Sequence, residues 1–196
     1  MNYLAHAALS PTSQQTLIGN LIGDHIRGSD LSHLPKAIEK GVRLHRYIDH
    51  QFDHHPNIVA IRRQLPNGLR RFVGISLDLW FDNWLSNHWH AFYAQPLVDF
   101  QVSTSQTIQQ HIEWIPNSQK PFMEYLCREQ LFLRYRSENQ ITKNLKLLAK
   151  RLTKSNGLLE SLEWLKDHSD DIVTEWPNVY SDMIAATEEF LSQYDQ

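Results

Sequence analysis

Apolar side chains recur along this chain at intervals of three and four residues, the period of amphipathic helices. Leu17, Ile18, Leu21, Ile22 and Ile26 follow a start signal at Pro11-Thr12-Ser13 and predict a helix that ends near Gly28. Ile38, Val42, Leu44, Ile48 and Phe52 predict a second helix. It should stop before Pro56, because the proline ring disfavours helix in the residue preceding it. Ile58 to Leu65 makes a third, ended by the turn signal Pro66-Asn67-Gly68. Leu69 to about Tyr93 reads as one long helix or two abutting ones. Asp99 to Ile115 follows, stopped by Pro116, and then Pro121 to Arg134 and Ser137 to Leu152. Leu158 to Asp167 and Asp171 to Tyr194 complete the set, with Pro177 kinking or interrupting the last. No segment alternates with a two-residue period, and no internal repeat or low-complexity linker occurs. The pattern predicts an all-α protein, a compact helical bundle forming one domain over residues 1–196.

Composition narrows the functional classes. The 196 residues are 41% hydrophobic, enough for a sizeable core. A net charge of -3 gives no global mark of a nucleic-acid binder, so any basic surface must be local. Cys127 is the only cysteine, which excludes an intrachain disulfide and a cysteine zinc site and fits a reducing compartment. No apolar run approaches the ~20 residues of a membrane span, and MNYLAHAALS lacks the features of a signal peptide. The expectation is a soluble cytoplasmic protein.

The candidate chemistry centres on GVRLHRYIDHQFDHHP, from Gly41 to Pro56. His45 and Asp49 stand four residues apart and project from one helix face. An imidazole beside a carboxylate suits a divalent cation, although a surface His–Asp hydrogen bond would leave the same trace. Asp24 shares a polar stripe with Asn20 and Arg27, a pattern that by itself points first to a solvated face, because acidic residues are mostly exposed. Asp78 and Asp82 lie one turn apart in the aromatic-rich ISLDLWFDNWLSNHW. Their repulsion there calls for a cation or for an arginine partner such as Arg70 or Arg71. Asp24, His45, Asp49 and Asp78 together form a hard, oxygen-rich ligand set that favours Mn²⁺ or Mg²⁺.

MNYLAH, GNLIGDHIRG, GVRLHRYIDHQFDHHP, ISLDLWFDNWLSNHW and LFLRYR occur in this order. Their order and spacing resemble the acyl carrier protein phosphodiesterase family, also called acyl carrier protein hydrolase, from Met1 to roughly Arg151. The resemblance implies an all-α fold related to HD-domain metal-dependent phosphohydrolases. It implies hydrolytic removal of 4′-phosphopantetheine from holo acyl carrier protein, with Mn²⁺ preferred. Asp24 matches the family's GN-x-x-x-D segment, His45 and Asp49 its L-H-R-x-I-D segment, and Asp78 the L-D before the aromatic helix. The adjacent His-Asp ligands of ordinary HD proteins are absent: Arg46 follows His45, and Asp49 comes a turn later.

For such a reaction Arg27 and Arg46 are candidate phosphate clamps, because guanidinium forks match phosphate oxygens. His6 and His88 are candidate acids for the departing serine oxygen, and His6 is equally a core hydrogen-bonder by its surroundings. Asp82 could orient a ligand or sit in a buried ion pair. His50, His54 and His55 read as surface residues or the site's entrance. An acidic carrier protein calls for positive charge beside the cleft. Arg62, Arg63, Arg70 and Arg71 form one such group, and Lys143, Lys146, Lys150, Arg151 and Lys154 another. Trp80 and Trp84 read as core, with a channel for the pantetheine arm as the lesser alternative. Two rivals stay open: a phosphohydrolase of nucleotides or small phosphoesters, and a non-catalytic partner of an acidic protein.

Overall fold

The computed structural model describes residues 1–10, 13–150 and 156–194, and these residues contain helices and no strand. In chain order the helices are α1 (Tyr3–Ala8), α2 (Gln14–Ile22), α3 (Lys36–His54), α4 (Pro56–Gln64), α5 (Val73–Asn87) and α6 (Leu97–Gln110). Then come α7 (Lys120–Arg128), α8 (Leu131–Arg134), α9 (Glu138–Ala149), α10 (Asn156–Asp167), α11 (Ser169–Val173) and α12 (Trp176–Tyr194). The all-α expectation holds. None of the described helices is long and apolar enough to cross a membrane.

Several boundaries depart from the periodicity for local reasons. α2 stops at Ile22, well before Gly28, and Gly23–His25 continues as a tight 3₁₀ turn. Asp24 is therefore on that turn and not on the helix that carries Asn20. The predicted segment 121–134 is broken at Gln130, whose φ of 50° lies in the left-handed region that interrupts a helix. Pro177 is the second residue of α12, where a missing N–H costs nothing, so it starts that helix instead of kinking it. The segments 11–12 and 151–155, which include part of the first start signal and the end of the second basic run, lie outside the described residues.

One buried cluster joins helices from α1 through α12, with Leu4, Ile18, Ile38, Ile48, Phe52, Phe81, Leu126, Tyr135 and Tyr180 among its fully covered members. Trp80, Trp84 and Trp176 form an edge-to-face aromatic group with ring centroids 4.5–5.7 Å apart. The expectation that the tryptophan stripe belongs to the core is met: Trp80 and Trp84 are about 5% exposed.

Two contacts bring the polar segments together. α2 crosses α3 at a glycine pair: a methyl on Gly19 would strike the carbonyl of Ile38, and one on Gly41 the carbonyl of Thr16. Their Cα hydrogens let the two backbones touch. The second contact is Asp82 of α5. Its two oxygens accept from the backbone N–H of Leu4 at 2.8 Å and of Ala5 at 3.0 Å. A fully buried carboxyl thus caps the N-terminus of α1 from another helix. Burial, only partly offset by these two hydrogen bonds, pushes its pKa up to about 7.

Gly41→Ala is expected to destabilise the protein by about 1–3 kcal/mol or more through overpacking at a backbone contact. Urea unfolding followed by circular dichroism measures this. A midpoint equal to wild type would mean that the crossing is looser than described.

Candidate metal centre

Three histidine and aspartate side chains from distant segments converge. His6 on α1, His45 and Asp49 on α3 each offer a ligand atom, all within 4.8 Å of one another. His45 Nε2 lies 3.1 Å from Asp24 Oδ1 and 3.1 Å from Asp49 Oδ2. His6 Nε2 lies 3.1 Å from the other oxygen of Asp49. The two imidazoles stack with centroids 4.1 Å apart. Asp78 joins from α5 through the Met1 ammonium, which is 3.0 Å from Asp78 Oδ1 and 3.4 Å from Asp49 Oδ1. Gly23 makes room for the His45 ring, which a side chain at that position would hit.

The hydrogen bonds behind the rings define what the cluster lacks. His45 Nδ1–H donates to the backbone carbonyl of Asn20 at 2.7 Å. His6 Nδ1 faces the Asn20 amide oxygen at 2.9 Å. That amide orientation follows from its other end, which donates to the His6 carbonyl and the Ser10 hydroxyl. Each imidazole therefore has an acceptor behind it and a carboxylate in front. A neutral ring has one N–H for two acceptors. Protonating both rings at stacking distance would set two buried cations against each other.

Electrostatics divide the rings. Burial opposes a charge on His45, but the Asp24 and Asp49 carboxylates 3.1 Å from Nε2 outweigh it and push its pKa up to about 9. Burial, with the charge on His45, takes His6 down to about 4. Burial would raise Asp49, yet the two histidines hold it well below the usual carboxylate range. His45 keeps Asp24 low as well. Asp78 is raised by burial against the pull of the Met1 ammonium. His6 is thus left neutral, with one N–H for the Asn20 oxygen and the Asp49 carboxylate, so an unshared pair faces one of the two acceptors, which is unfavourable.

A divalent cation fits this arrangement. His45 Nε2 and Asp78 Oδ1 are buried atoms without a hydrogen-bond partner of adequate geometry. A cavity of about 20 Å³ lies between His6, Asn20, Asp24 and His45, room for one ion or one water. Nδ1–H donation to a carbonyl behind the ring is the usual support of a metal-binding imidazole.

The other candidate residues are placed elsewhere. Arg27 is exposed beyond the 3₁₀ turn. Arg46 donates through Nη2 to the Ile26 carbonyl at 2.8 Å and so braces the turn that carries Asp24. Asp82 is adjacent to the cluster in sequence, but both its oxygens are spent on α1. His88 is exposed at the end of α5, its Nδ1 on the Trp84 carbonyl, in a separate cleft of about 270 Å³ with Trp80, Asn83 and Trp176. Counting 100° per residue places it off the Asp78 stripe. The motifs make His6 a candidate acid, and the structure brings its Nε2 to the His45–Asp49 pair. Its signal, a lone histidine among small and apolar residues, does not distinguish a ligand from a core residue.

Fold and cluster together define a helical protein in which two buried imidazoles and a half-buried carboxylate offer ligand atoms suited to a metal ion. The family model described as acyl carrier protein phosphodiesterase matches residues 1–183, and the chain belongs to that family. Proteins named acyl carrier protein phosphodiesterase from Escherichia coli O6:H1 and O45:K1 are each 32% identical to it over 187 residues, covering 94% of this chain and 96% of theirs. The protein of that name from Escherichia coli O139:H28 is 31% identical over 189 residues, with the same coverage. No solved structure matches.

The raised His45 pKa sets a pH dependence. Stability from its proton is fully present below 6.5 and is lost as pH rises towards 9. The Met1 ammonium, which Asp78 and Asp49 push up to about 10 against burial, adds a loss in the same sense above pH 8. In chelator-treated protein the denaturation midpoint should fall from pH 6.5 to 9, with a clearly smaller slope between 6.5 and 8 in His45→Gln. Identical slopes in the two proteins would show that His45 carries no such proton.

Proposed function

We propose that this chain is a metal-dependent phosphodiesterase that hydrolyses 4′-phosphopantetheine from holo acyl carrier protein, yielding the apo form. The observation that carries this reading is the meeting of His6, His45 and Asp49, with Asp24 and Asp78 beside them, in a chain of this family. The distant kinship to HD-domain hydrolases belongs to the same proposal. A carrier-protein substrate and a single cysteine support a cytoplasmic setting.

His6, His45 and Asp49 would hold the cation, with Asp24 and Asp78 beside them. Two imidazoles beside carboxylates favour Mn²⁺ over Mg²⁺, which prefers an all-oxygen shell. When bound, the ion lowers the pKa of water and offsets charge on the phosphoryl oxygens. The chain's own residues supply orientation. Asp24 is the most exposed carboxylate of the set, its side chain 74% accessible, so it faces an incoming ester and can orient water there. Asp49 spans both histidines and locks their separation. Arg46 fixes the turn behind Asp24. Asp82 fixes the segment that delivers His6.

The arginines in the last turn of α4 and in the segment after it suit the acidic carrier. Arg62 pairs with Asp53 at 2.6 Å, one turn past Asp49, and its guanidinium lies against Gly74, one turn before Asp78. Arg70 donates to the carbonyls of Leu65 and Arg63 and ties the turn together. Arg63 and Arg71 are exposed at this edge. The group is thus tied to the helices that carry Asp49 and Asp78 through Arg62, whereas Lys143 and Lys146 lie on α9 and Lys150 just past its end.

Asp49→Asn should reduce phosphopantetheine release from holo carrier protein at least about 100-fold while leaving the helical spectrum intact, the scale of losing a metal ligand's charge. Mass spectrometry of the carrier, beside a panel of nucleotides, checks both the activity and the substrate. Release at the wild-type rate, or turnover of nucleotides in preference to the carrier, would overturn the assignment. Arg63→Glu with Arg71→Glu should raise KM for the carrier about tenfold or more at low salt, with kcat and Mn²⁺ affinity unchanged. An unchanged KM would move the docking face off these residues.

A further inference from the structure

Asn20 is fully buried at the α2–α3 crossing, and its two oxygens serve two different histidines. The backbone carbonyl accepts from His45 Nδ1 at 2.7 Å, and the side-chain oxygen faces His6 Nδ1 at 2.9 Å. The side-chain amide is not free to turn over, because its nitrogen donates to the His6 carbonyl at 2.8 Å and to Ser10 Oγ at 2.9 Å. Ser10 in turn donates to the same His6 carbonyl at 2.9 Å. The side chain therefore grips His6 at both its ring and its backbone.

We propose that Asn20 is the positioning residue that holds the proton of both imidazoles on Nδ1, so that both Nε2 atoms face one cation. The inference rests on the reading of the cluster as a cation site. With the Nδ1 proton held on the Asn20 side, each ring presents its Nε2 pair toward the space bounded by Asp24 and Asp49. If His6 turned its proton to Nε2, its Nδ1 pair would meet the Asn20 oxygen and its ligand atom would be blocked.

The two holds differ in kind, and this separates their effects. A substitution at position 20 removes the side-chain oxygen behind His6 but keeps the backbone carbonyl behind His45. Loss of the Asn20 side chain should therefore act through His6 alone. A residue needed only for helix packing would disturb both rings alike.

Titration with Mn²⁺ alone, read by the electron paramagnetic resonance of the free ion, tests this in Asn20→Ala, His6→Ala, His45→Ala and the two doubles with Asn20→Ala. Asn20→Ala should weaken binding about 10–100-fold, the usual scale for a supporting hydrogen bond. The loss should nearly vanish in the His6→Ala background and persist in the His45→Ala background. Asn20→Asp keeps an oxygen behind His6 and should recover much of the affinity. Equal losses in both backgrounds, or no loss at all, would overturn the proposal.

A second readout needs no metal. Ring ¹⁵N resonances of His6 in the metal-free wild type near pH 8 should show the proton on Nδ1. In folded Asn20→Ala it should shift toward Nε2, and in Asn20→Asp it should stay. A wild-type His6 protonated on Nε2 refutes the role of Asn20 whatever the ion affinity. Failure of Mn²⁺ to bind wild type, with the Nδ1 form intact, instead refutes the cation site and leaves the tautomer assignment standing.

Discussion

The crossing of α2 and α3 at Gly19 and Gly41 is the constraint on which the site rests. Only hydrogens separate the two backbones there. The approach brings the Asn20 carbonyl within 2.7 Å of His45 and puts Gly23 under the His45 ring. A wider crossing would cost the hydrogen bond that fixes the ring and would pull the Asp24 turn off Nε2. Packing and chemistry are thus one problem at this interface: the glycines give up side-chain burial so that a backbone oxygen can act as part of the site.

A second feature is an excess of acceptors. Asn20 offers two oxygens behind the histidines, and Asp24, Asp49 and Asp78 crowd the front. The protein alone answers this surplus with a cationic His45 and with the Met1 ammonium between Asp49 and Asp78. Neither answer satisfies His6, which burial and the neighbouring charge keep neutral. Carboxylates crowded at the edge of a small polar cavity repel one another without a counter-charge, and a divalent ion would offset them. Asp82 behaves differently. It lies one turn from Asp78, yet two backbone N–H groups occupy its oxygens, so its task is to anchor α1 and hence His6.

The helices were legible because amphipathic periodicity reports burial of one face, and that burial is realised: Ile38, Val42, Ile48 and Phe52 are all fully covered. Their ends were less so. α2 stops at Ile22, before Gly23, whose lack of a side chain leaves room for the His45 ring, a contact that local periodicity does not show. His45 and Asp49 were readable as a pair because four residues on a helix put two side chains together regardless of the rest of the fold. Arg27 is exposed past the 3₁₀ turn, and His88 sits at the end of α5. Proximity in sequence to a ligand says little once a turn or a helix face intervenes, and His88 ends up among tryptophans in another cleft.

The sequence by itself determined the helical class, the core faces and the His45–Asp49 pair, along with the ordered motifs that identify the family. These depend on short-range geometry, in which the spacing of residues dictates which side chains share a surface. Only the tertiary structure decided that His6 joins that pair, that Asn20 stands behind both rings, and that Asp82 caps a helix far away in the chain. Those contacts join residues separated by 14 to 78 positions, and what brings them together is the backbone-to-backbone crossing and the shared core, neither of which leaves a periodic trace in the chain.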